Sequence, residues 1–407
     1  MSIISKDIQK AISLLENEEL VAIPTETVYG LAGNIFSEKA IKCIFETKKR
    51  PFFNPLIVHI PSVDALTSIV SEIPEKAKLL AKTFWPGAMT LVLKKNPNIP
   101  DIITAGKDTV AVRVPNHPVT LALLEQISFP LAAPSANPFN HISPTKPKHV
   151  ARYFKDDIKM VLDGGTCKNG IESTIIGFEN NDPIIYRLGA LTIEAIEAVV
   201  GKVAIKNKKE ENPDAPGMLD KHYSPLTTTI LTTNIVAEIQ KHQHQKIGLL
   251  TYNSSYKTDV ISAEIMLSKT SNLEEASAKL YDAMHELDHK KLDIIIVEKL
   301  PDFGLGKSMN VCKGRLFRNN YRFSSFNKEN KNDLKIDSKI LNKNAAKKPE
   351  TAKPSTNLSA NKIIMAFITN KNSPNVTMVA GNVKKIKSGR TNRFNKAITT
   401  ATIIAAP

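Results

Sequence analysis

The clearest candidate for chemistry is a run of cations in the segment KKRPFFNP, residues 48–55. Lys48 and Lys49 supply point charges and Arg50 supplies a planar fork, a combination suited to binding a polyphosphate. The alternative is a solvated cluster of cations that complements the dipole at the C-terminus of a helix. This segment by itself leaves both interpretations open.

Small hydroxyl side chains follow a predicted strand in the segment PTETVYGLAG, residues 24–33. Ligands of open α/β sheets gather at strand ends, so Thr25 and Thr27 are candidates for substrate binding. In the alternative interpretation, the two hydroxyls only bond the backbone of a local turn. The segment gives the two interpretations equal weight.

Two polar residues lie within predicted apolar strands. His59 is part of the run LIVHI, where a histidine is more often a satisfied core residue than a ligand. Arg113 lies in the run TVAVRV, and a buried cation needs an anionic partner because leaving it unpaired is costly. That partner is either a structural Asp or Glu or the carboxylate of a substrate.

More hydroxyl and cationic side chains follow later strands. The Pro-rich loop 131–145 carries Ser135 and Ser143, and a glycine turn leads into Ser173. Arg187 ends another predicted strand. A nucleotide site would have to be assembled from such scattered strand ends, because the sequence contains neither GxxxxGK[ST] nor GxGxxG. Paired CxxC and GxSxG are also missing, and we expect no resident metal site.

The elements that must position these residues form an α/β pattern, in which strands alternate with amphipathic helices. Ser37 is the predicted N-cap of a helix that runs through Thr47 with Ile41, Ile44 and Phe45 inward. Further helices are predicted over residues 5–17, 74–84, 117–127 and 192–200. Strands are predicted over residues 20–23, 56–60, 89–93, 110–114, 160–162, 174–178 and 184–186.

Composition divides the chain into four predicted regions. Residues 1–201 form the first α/β domain, and residues 202–225 form a polar linker interrupted by Pro and Gly. Residues 226–325 carry two strand-like apolar runs around a helical period, which predicts a smaller Rossmann-like α/β domain. Residues 326–407 are rich in Lys, Asn, Ser and Thr and are predicted to be a disordered tail.

The net charge of +15 resembles that of a nucleic-acid-binding protein, but its distribution does not. Residues 326–407 hold 16 Lys and Arg against 4 Asp and Glu, a net of +12 that leaves +3 for the rest. Body-wide electrostatic steering toward RNA is therefore not expected. Three dispersed cysteines, no apolar run near the ~18 residues of a membrane span and no secretory signal favour the cytoplasm.

Taken in order along the chain, these segments resemble a known family. PTETVYGL, the Lys48–Pro51 motif, NPLIVHI, FWPGAMTLVL, TVAVRVPNHP, APSAN, SPT, ESTI and YRLGA are similar to the threonylcarbamoyl-AMP synthase (YrdC-like) domain. The resemblance covers residues 5–201. APGMLDKHYSP, residues 215–225, and the unit after it resemble the long form, in which the linker folds back over the active site.

The resemblance implies a YrdC-like twisted open mixed sheet and a reaction that joins ATP, L-threonine and bicarbonate into threonylcarbamoyl-AMP and pyrophosphate. It implies Mg²⁺ accompanying ATP, and transfer of the product to the machinery that modifies tRNA. The implied catalytic residues are Lys48 and Arg50. The implied ATP site adds Asn54, Thr109, Ser135, Ser143, Arg187 and Tyr223. The implied threonine site contains Thr25, His59, Arg113, Ala133 and Ser173.

Two other functions are compatible with parts of this sequence. A carbamoyl-transfer enzyme of hydrogenase maturation has a similar domain, but its acylphosphatase and paired-cysteine segments are missing here. A non-catalytic RNA-binding module is disfavoured by the net charge of +3 before the tail, although a local patch could still bind tRNA weakly. The tail is either an RNA-contacting arm or an inert extension. Extra residues between Gly306 and Arg315 leave open whether the last helix of the second domain is intact.

Overall fold

The structure, a computed structural model, describes residues 3–206 and 224–317, with side chains up to Val311. Tyr223, most of the predicted linker and the predicted tail lie outside these residues. The described chain forms two sheets flanked by helices, which confirms the predicted α/β class. Both sheets belong to one compact unit, Met1–Ser324.

The large sheet is mixed and contains eleven strands among the described residues. They are β1 Ile3–Ser5, β2 Val21–Ile23, β3 Gly30–Asn34, β4 Ile57–His59, β5 Met89–Lys94, β6 Thr109–Arg113, β7 Leu131–Ala132, β8 Met160–Leu162, β9 Thr174–Glu179, β10 Asp182–Arg187 and β11 Ala204–Ile205. Their spatial order is β1-β8-β2-β3-β7-β4-β6-β5-β9-β10-β11. The sheet therefore extends to Ile205, four residues past the predicted first domain.

Helices cover both faces of this sheet. They are α1 Ile8–Glu16, α2 Glu38–Lys48, α3 Glu75–Phe84, α4 Asp101–Thr104, α5 Pro118–Leu124, α6 Pro147–Phe154 and α7 Ile193–Val200, with a 3-10 helix at Asp64–Ser68. Ser37 caps α2 as predicted, its hydroxyl accepting the Ala40 N–H at 3.1 Å. The inward residues of α2 are buried in the largest apolar core. None of the described helices combines the length and apolarity needed to span a membrane.

Strand pairing brings the predicted site residues to one edge of the sheet. β4 and β6 are parallel neighbours, and their register pairs His59 with Arg113. β5 lies beside β6 on one side and parallel to β9 on the other, with Met89 opposite Thr174. Backbone hydrogen bonds thereby hold the C-terminal ends of β4 and β6 close to the start of β9.

The second sheet is fully parallel. Its strands β12 Thr228–Thr232, β13 Ile247–Thr251, β14 Ile261–Met266 and β15 Ile294–Glu298 lie in the order β12-β15-β13-β14. The helices that accompany it are α8 Ile235–Lys241, α9 Leu273–Asp288 and α10 Gly304–Phe317. The last helix, whose integrity the sequence left open, is present: α10 begins at Gly304 and continues through the extra residues.

Candidate active site

A cleft opens over the strand ends of the large sheet. Its lining residues are Thr25, Thr27, Val28, Gly30, Arg50, Ile57, His59, Arg113, Ala133, Pro134, Ser135, Glu172, Ser173 and Arg187. Most of the residues singled out from the sequence therefore lie around one cavity, although Thr25 and Arg187 are 162 positions apart. Three of the lining residues carry guanidinium groups, and a site of that composition suits an anionic ligand.

A strip of apolar side chains continues from the cleft along the same face of the sheet. It consists of Ile57, Val92, Ala111 and Ile175 with Tyr186 packed against them. Ile57 also lines the cleft, whereas Val92 and Tyr186 line a second opening together with Thr109 and Lys206. Thr109 is thus separated from the guanidinium groups by the length of the strip, on the same face of the sheet.

The three consecutive cations of the KKR run point in different directions. Lys48 is fully buried and donates to the backbone carbonyls of Ser135 and Asn137. Burial lowers the pKa of the Lys48 ammonium well below its usual value, and the charge of Arg50 adds to this effect. Lys49 is exposed in a left-handed conformation at the end of α2. The run is therefore not a solvated cluster, because Lys48 and Arg50 are buried and Lys49 alone of the three is exposed.

Arg50 faces the cleft and is held by the loop that follows it. Its guanidinium donates to the Oδ1 atom of Asn54 at 2.6 Å and to the carbonyl of Pro55 at 2.8 Å. Asn54 is fully buried, and its Nδ2 donor has no hydrogen-bond partner among the described residues. A buried unpaired donor beside a fixed guanidinium is suited to an acceptor supplied by a ligand.

Arg113 has an internal anionic partner. Its Nη2 lies 2.7 Å from Oε1 of Glu26, and both side chains are almost fully buried. It also donates to the hydroxyl of Thr27 and the carbonyl of Gly87. Two of its five N–H groups remain without an acceptor among the described residues. The structural partner foreseen from the sequence is therefore present, and the guanidinium retains donors at the cleft.

The sequence did not identify Glu26, although the acidic residue between two threonines in PTET was the available signal. Thr25 makes the local bonds that one interpretation predicted. Its hydroxyl donates to the carbonyl of Val28 at 2.6 Å and lies 2.8 Å from the hydroxyl of Thr27. Thr25 and Thr27 also line the cleft, so the turn presents them to a ligand while its own backbone is satisfied.

Ser173 is fixed from two sides. Its hydroxyl lies 2.8 Å from that of Thr90, and Arg187 donates to its carbonyl at 2.8 Å and to its hydroxyl at 3.1 Å. Ala133 lies opposite Gly30, where a Cβ atom would approach the Ala133 Cβ to 3.1 Å. The two loops therefore approach closely at this wall of the cleft.

Ser143 is fully buried and does not line the cleft. Its hydroxyl donates to Oε1 of Glu172 at 2.6 Å, and Oε2 of the same carboxylate accepts from Tyr281 of α9 at 2.8 Å. Neither Glu172 nor Tyr281 was a sequence-level candidate. Glu172 is part of the ESTI segment, but no local pattern shows that a tyrosine 109 positions later contacts it.

His59 is buried at the cleft wall with its Nδ1 atom 3.2 Å from the carbonyl of Ile57. Burial lowers the pKa of His59 to about 3, and the charge of Arg113 contributes. The imidazole is consequently neutral at neutral pH. It can accept or donate a hydrogen bond there without carrying a charge.

The depressed pKa of His59 predicts a loss of stability in acid. The unfolded chain binds a proton at this residue near pH 6.5, whereas the folded chain does so only near pH 3. The free energy of unfolding is thus fully retained above pH 6.5 and falls as the pH drops through this window, by about 1.4 kcal/mol per pH unit for one such proton.

Urea unfolding of the wild type and of His59→Asn at pH 7.5, 6.5 and 5.5 measures this contribution. The variant should show a shallower decline below pH 6.5. Identical pH slopes for the two proteins would show that folding does not lower the pKa of His59.

One motif was missed at the sequence level. Residues 285–289 of α9, HELDH, match the HExxH spacing of zinc-binding helices. Here His285 bonds the carbonyl of Ser143 and stacks on His149, and His289 bonds the carbonyl of His285. No group of three or more His, Cys, Asp or Glu among the described residues could hold a metal ion. The helix face is used for packing instead.

The mixed sheet with its cationic cleft and the attached parallel sheet define a two-part α/β protein whose cleft suits an anionic ligand. Two family models match the chain, one described as Telomere recombination over residues 13–189 and one as Threonylcarbamoyl-AMP synthase, C-terminal domain over residues 191–311. The chain is 40% identical over 328 residues to a threonylcarbamoyl-AMP synthase of Bacillus subtilis (strain 168), covering 76% of this chain and 94% of that protein.

A threonylcarbamoyl-AMP synthase of Pyrococcus abyssi is also 40% identical, over 74% of this chain and 90% of its own length. The solved structure of P. abyssi Sua5 complexed with L-threonine is similar, with a TM-score of 0.72, 37% identity and coverage of 78% of this chain and 99% of that one. This chain belongs to the threonylcarbamoyl-AMP synthase family, in the long form that carries both domains.

Proposed function

We propose that the chain is an L-threonylcarbamoyladenylate synthase, a nucleotidyltransferase that makes threonylcarbamoyl-AMP from ATP, L-threonine and bicarbonate. The observation that carries this proposal is the single cleft in which guanidinium groups meet fixed hydroxyls, in a chain of this family. The product would supply the machinery that threonylcarbamoylates tRNA, and weak binding of tRNA itself belongs to the same proposal.

The proposed reaction has two steps. The amine of threonine forms an N–C bond with carbon dioxide from bicarbonate, which gives a carbamate and releases water. A carbamate oxygen then forms a bond to the α-phosphorus of ATP, and the bond to the pyrophosphate oxygen breaks. No covalent enzyme nucleophile is needed, so the protein contributes positioning and neutralisation of charge.

The proposed nucleotide side centres on Lys48 and Arg50 at the phosphates. Arg50 is already fixed in the cleft, and the unpaired Nδ2 donor of Asn54 lies beside it. Lys48 reaches the phosphates only by exchanging backbone carbonyls for phosphate oxygens. The other proposed nucleotide contacts are Thr109, Ser135, Ser143, Arg187 and Tyr223.

The proposed threonine side centres on Arg113 in the same cleft. The two N–H groups of Arg113 that have no acceptor among the described residues suit the carboxylate of threonine. The remaining proposed contacts are Thr25, His59, Ala133 and Ser173. Mg²⁺ enters as the counterion of ATP, because the described residues provide no metal cage and ATP phosphates with water can complete its octahedral shell.

Pyrophosphate release tests this function. Purified full-length protein should release pyrophosphate from ATP only when both threonine and bicarbonate are present. Omitting either should reduce the rate to background, and serine should support a much lower rate than threonine. Equal rates with serine would contradict the threonine assignment, and release without any amino acid would indicate a simple ATP hydrolase.

A further inference from the structure

Helix α9 of the second domain contacts the walls of the cleft along one face. The hydroxyl of Ser277 donates to the carbonyl of Asn169 at 2.7 Å, and that of Tyr281 donates to Glu172 at 2.8 Å. Nε2 of His285 lies 3.1 Å from the carbonyl of Ser143. The spacing of four residues places these three side chains in one row on the helix.

Apolar side chains beside these hydrogen bonds also pack against the second domain. Val28, Ile142 and Ile171 are buried in the core cluster of the second domain rather than in that of the large sheet. Val28 itself lines the cleft, and the other two immediately precede Ser143 and Glu172. Three segments that form the cleft are therefore anchored in the core of the neighbouring domain.

Gly170 lies where the loop before Glu172 comes very close to the backbone of α9. Its φ angle is +74°, and a Cβ atom at this position would lie 2.3 Å from the carbonyl oxygen of Ser277. Only glycine combines this left-handed conformation with so little space. The loop that ends at Glu172 and Ser173 is thus held directly against the backbone of α9.

The carboxylate of Glu172 links the two domains through its hydrogen bonds. It is 6% exposed, and it accepts hydrogen bonds from Ser143 and Tyr281. An ionised carboxylate only accepts, so both hydroxyl protons are committed to it. Both oxygens of this buried carboxylate are thus held by hydroxyl groups, one from each domain.

We propose that Tyr281 is a positioning residue of the active site: through Glu172 it fixes Ser143, and the second domain thereby shapes the nucleotide side of the cleft. This inference rests on the proposed function, which assigns Ser143 to the nucleotide side. Ser143 lies behind the cleft wall, and Glu172, to which it donates, lines the cleft. The threonine side depends less on Tyr281, because Ser173 is held independently by Thr90 and Arg187.

Tyr281→Phe tests the proposal, since it removes one oxygen and keeps the packing of the ring. In the full-length protein, the KM for ATP should rise by about tenfold, as expected for a lost hydrogen bond to a charged group. The kcat and the KM for threonine should change by less than about threefold. A purely structural defect would lower the fraction of active enzyme, and hence kcat, without moving KM for ATP.

The matched control is Tyr252→Phe. Tyr252 belongs to the same core cluster, and its hydroxyl bonds the carbonyl of Ser271 inside the second domain. Its KM for ATP should stay at the wild-type value, while thermal unfolding of both variants reports any loss of stability. Glu172→Gln should raise the KM for ATP at least as much as Tyr281→Phe.

The outcomes are separable. If the wild type makes no threonylcarbamoyl-AMP, the proposed function fails. If the wild type is active and Tyr281→Phe has the same KM for ATP, the positioning role is wrong. An equal rise of KM in Tyr252→Phe would also overturn it, because the effect would then not depend on contact with Glu172.

Discussion

Replacing Lys48 by methionine should reduce the rate of pyrophosphate release by at least about 100-fold. The substitution keeps the buried aliphatic stem and removes the ammonium, which donates to the carbonyls of Ser135 and Asn137. Those carbonyls lose their donor, at a cost of roughly 1–3 kcal/mol each. The proposed phosphate ligand is lost together with the anchor of the loop that carries Ser135 into the cleft.

Lys49→Met is the matched control for this experiment. Lys49 is the adjacent residue with the same charge, but it is exposed at the end of α2. Its substitution should leave the rate within about twofold, as for surface changes away from a site. Circular dichroism should show both variants folded. A Lys48→Met protein that retains most of its activity would contradict the phosphate role.

Replacing Arg113 by methionine should have two separable effects. Removing one partner of the buried pair with Glu26 leaves an uncompensated charge and should lower the free energy of unfolding by about 3–5 kcal/mol. The kcat/KM for threonine should fall by about 100-fold if Arg113 binds the substrate carboxylate. Denaturant unfolding and steady-state kinetics measure the two effects independently.

The double variant Glu26→Gln with Arg113→Met distinguishes a structural role from a substrate role. Removing both charges should recover most of the lost stability, because no buried charge is then left alone. Activity should stay low, since the guanidinium is still missing. Recovery of activity along with stability would show that Arg113 acts only as the partner of Glu26.

Much of the fold followed from local patterns. Short apolar runs bounded by turns identified the central strands β5, β6, β9, β13 and β15, because buried strands need continuous apolar sequence. β3 was missed because its sequence, GLAGN, is rich in glycine, which has low intrinsic preference for strands. The extra residues between Gly306 and Arg315 left α10 open at the sequence level, yet the helix continues through them and packs against α9.

The candidate site was predicted as a set of strand ends, and sheet topology brings several of these ends to one cleft. Contacts between distant positions could not be foreseen in the same way. The pairing of Arg113 with Glu26 spans 87 positions, and the contact of Glu172 with Tyr281 spans 109. Neither leaves a periodic trace in the sequence, because each depends on how loops and domains meet.

Lys48, Lys49 and Arg50 are adjacent in the sequence but have different environments, which the sequence did not predict. α2 ends at Lys48, Lys49 adopts a left-handed conformation and Arg50 begins the following loop, so the three cations face different surroundings. The sequence shows three like charges, whereas the structure separates a buried brace, a solvated residue and a cleft-lining guanidinium.

The most direct test of the proposed function is the fate of labelled bicarbonate. Full-length protein incubated with ATP, L-threonine and ¹³C-bicarbonate should yield threonylcarbamoyl-AMP that carries the label in its carbamoyl carbon, with one pyrophosphate released for each molecule formed. Mass spectrometry of the nucleotide products measures this. Pyrophosphate accompanied only by unlabelled AMP would contradict the assignment.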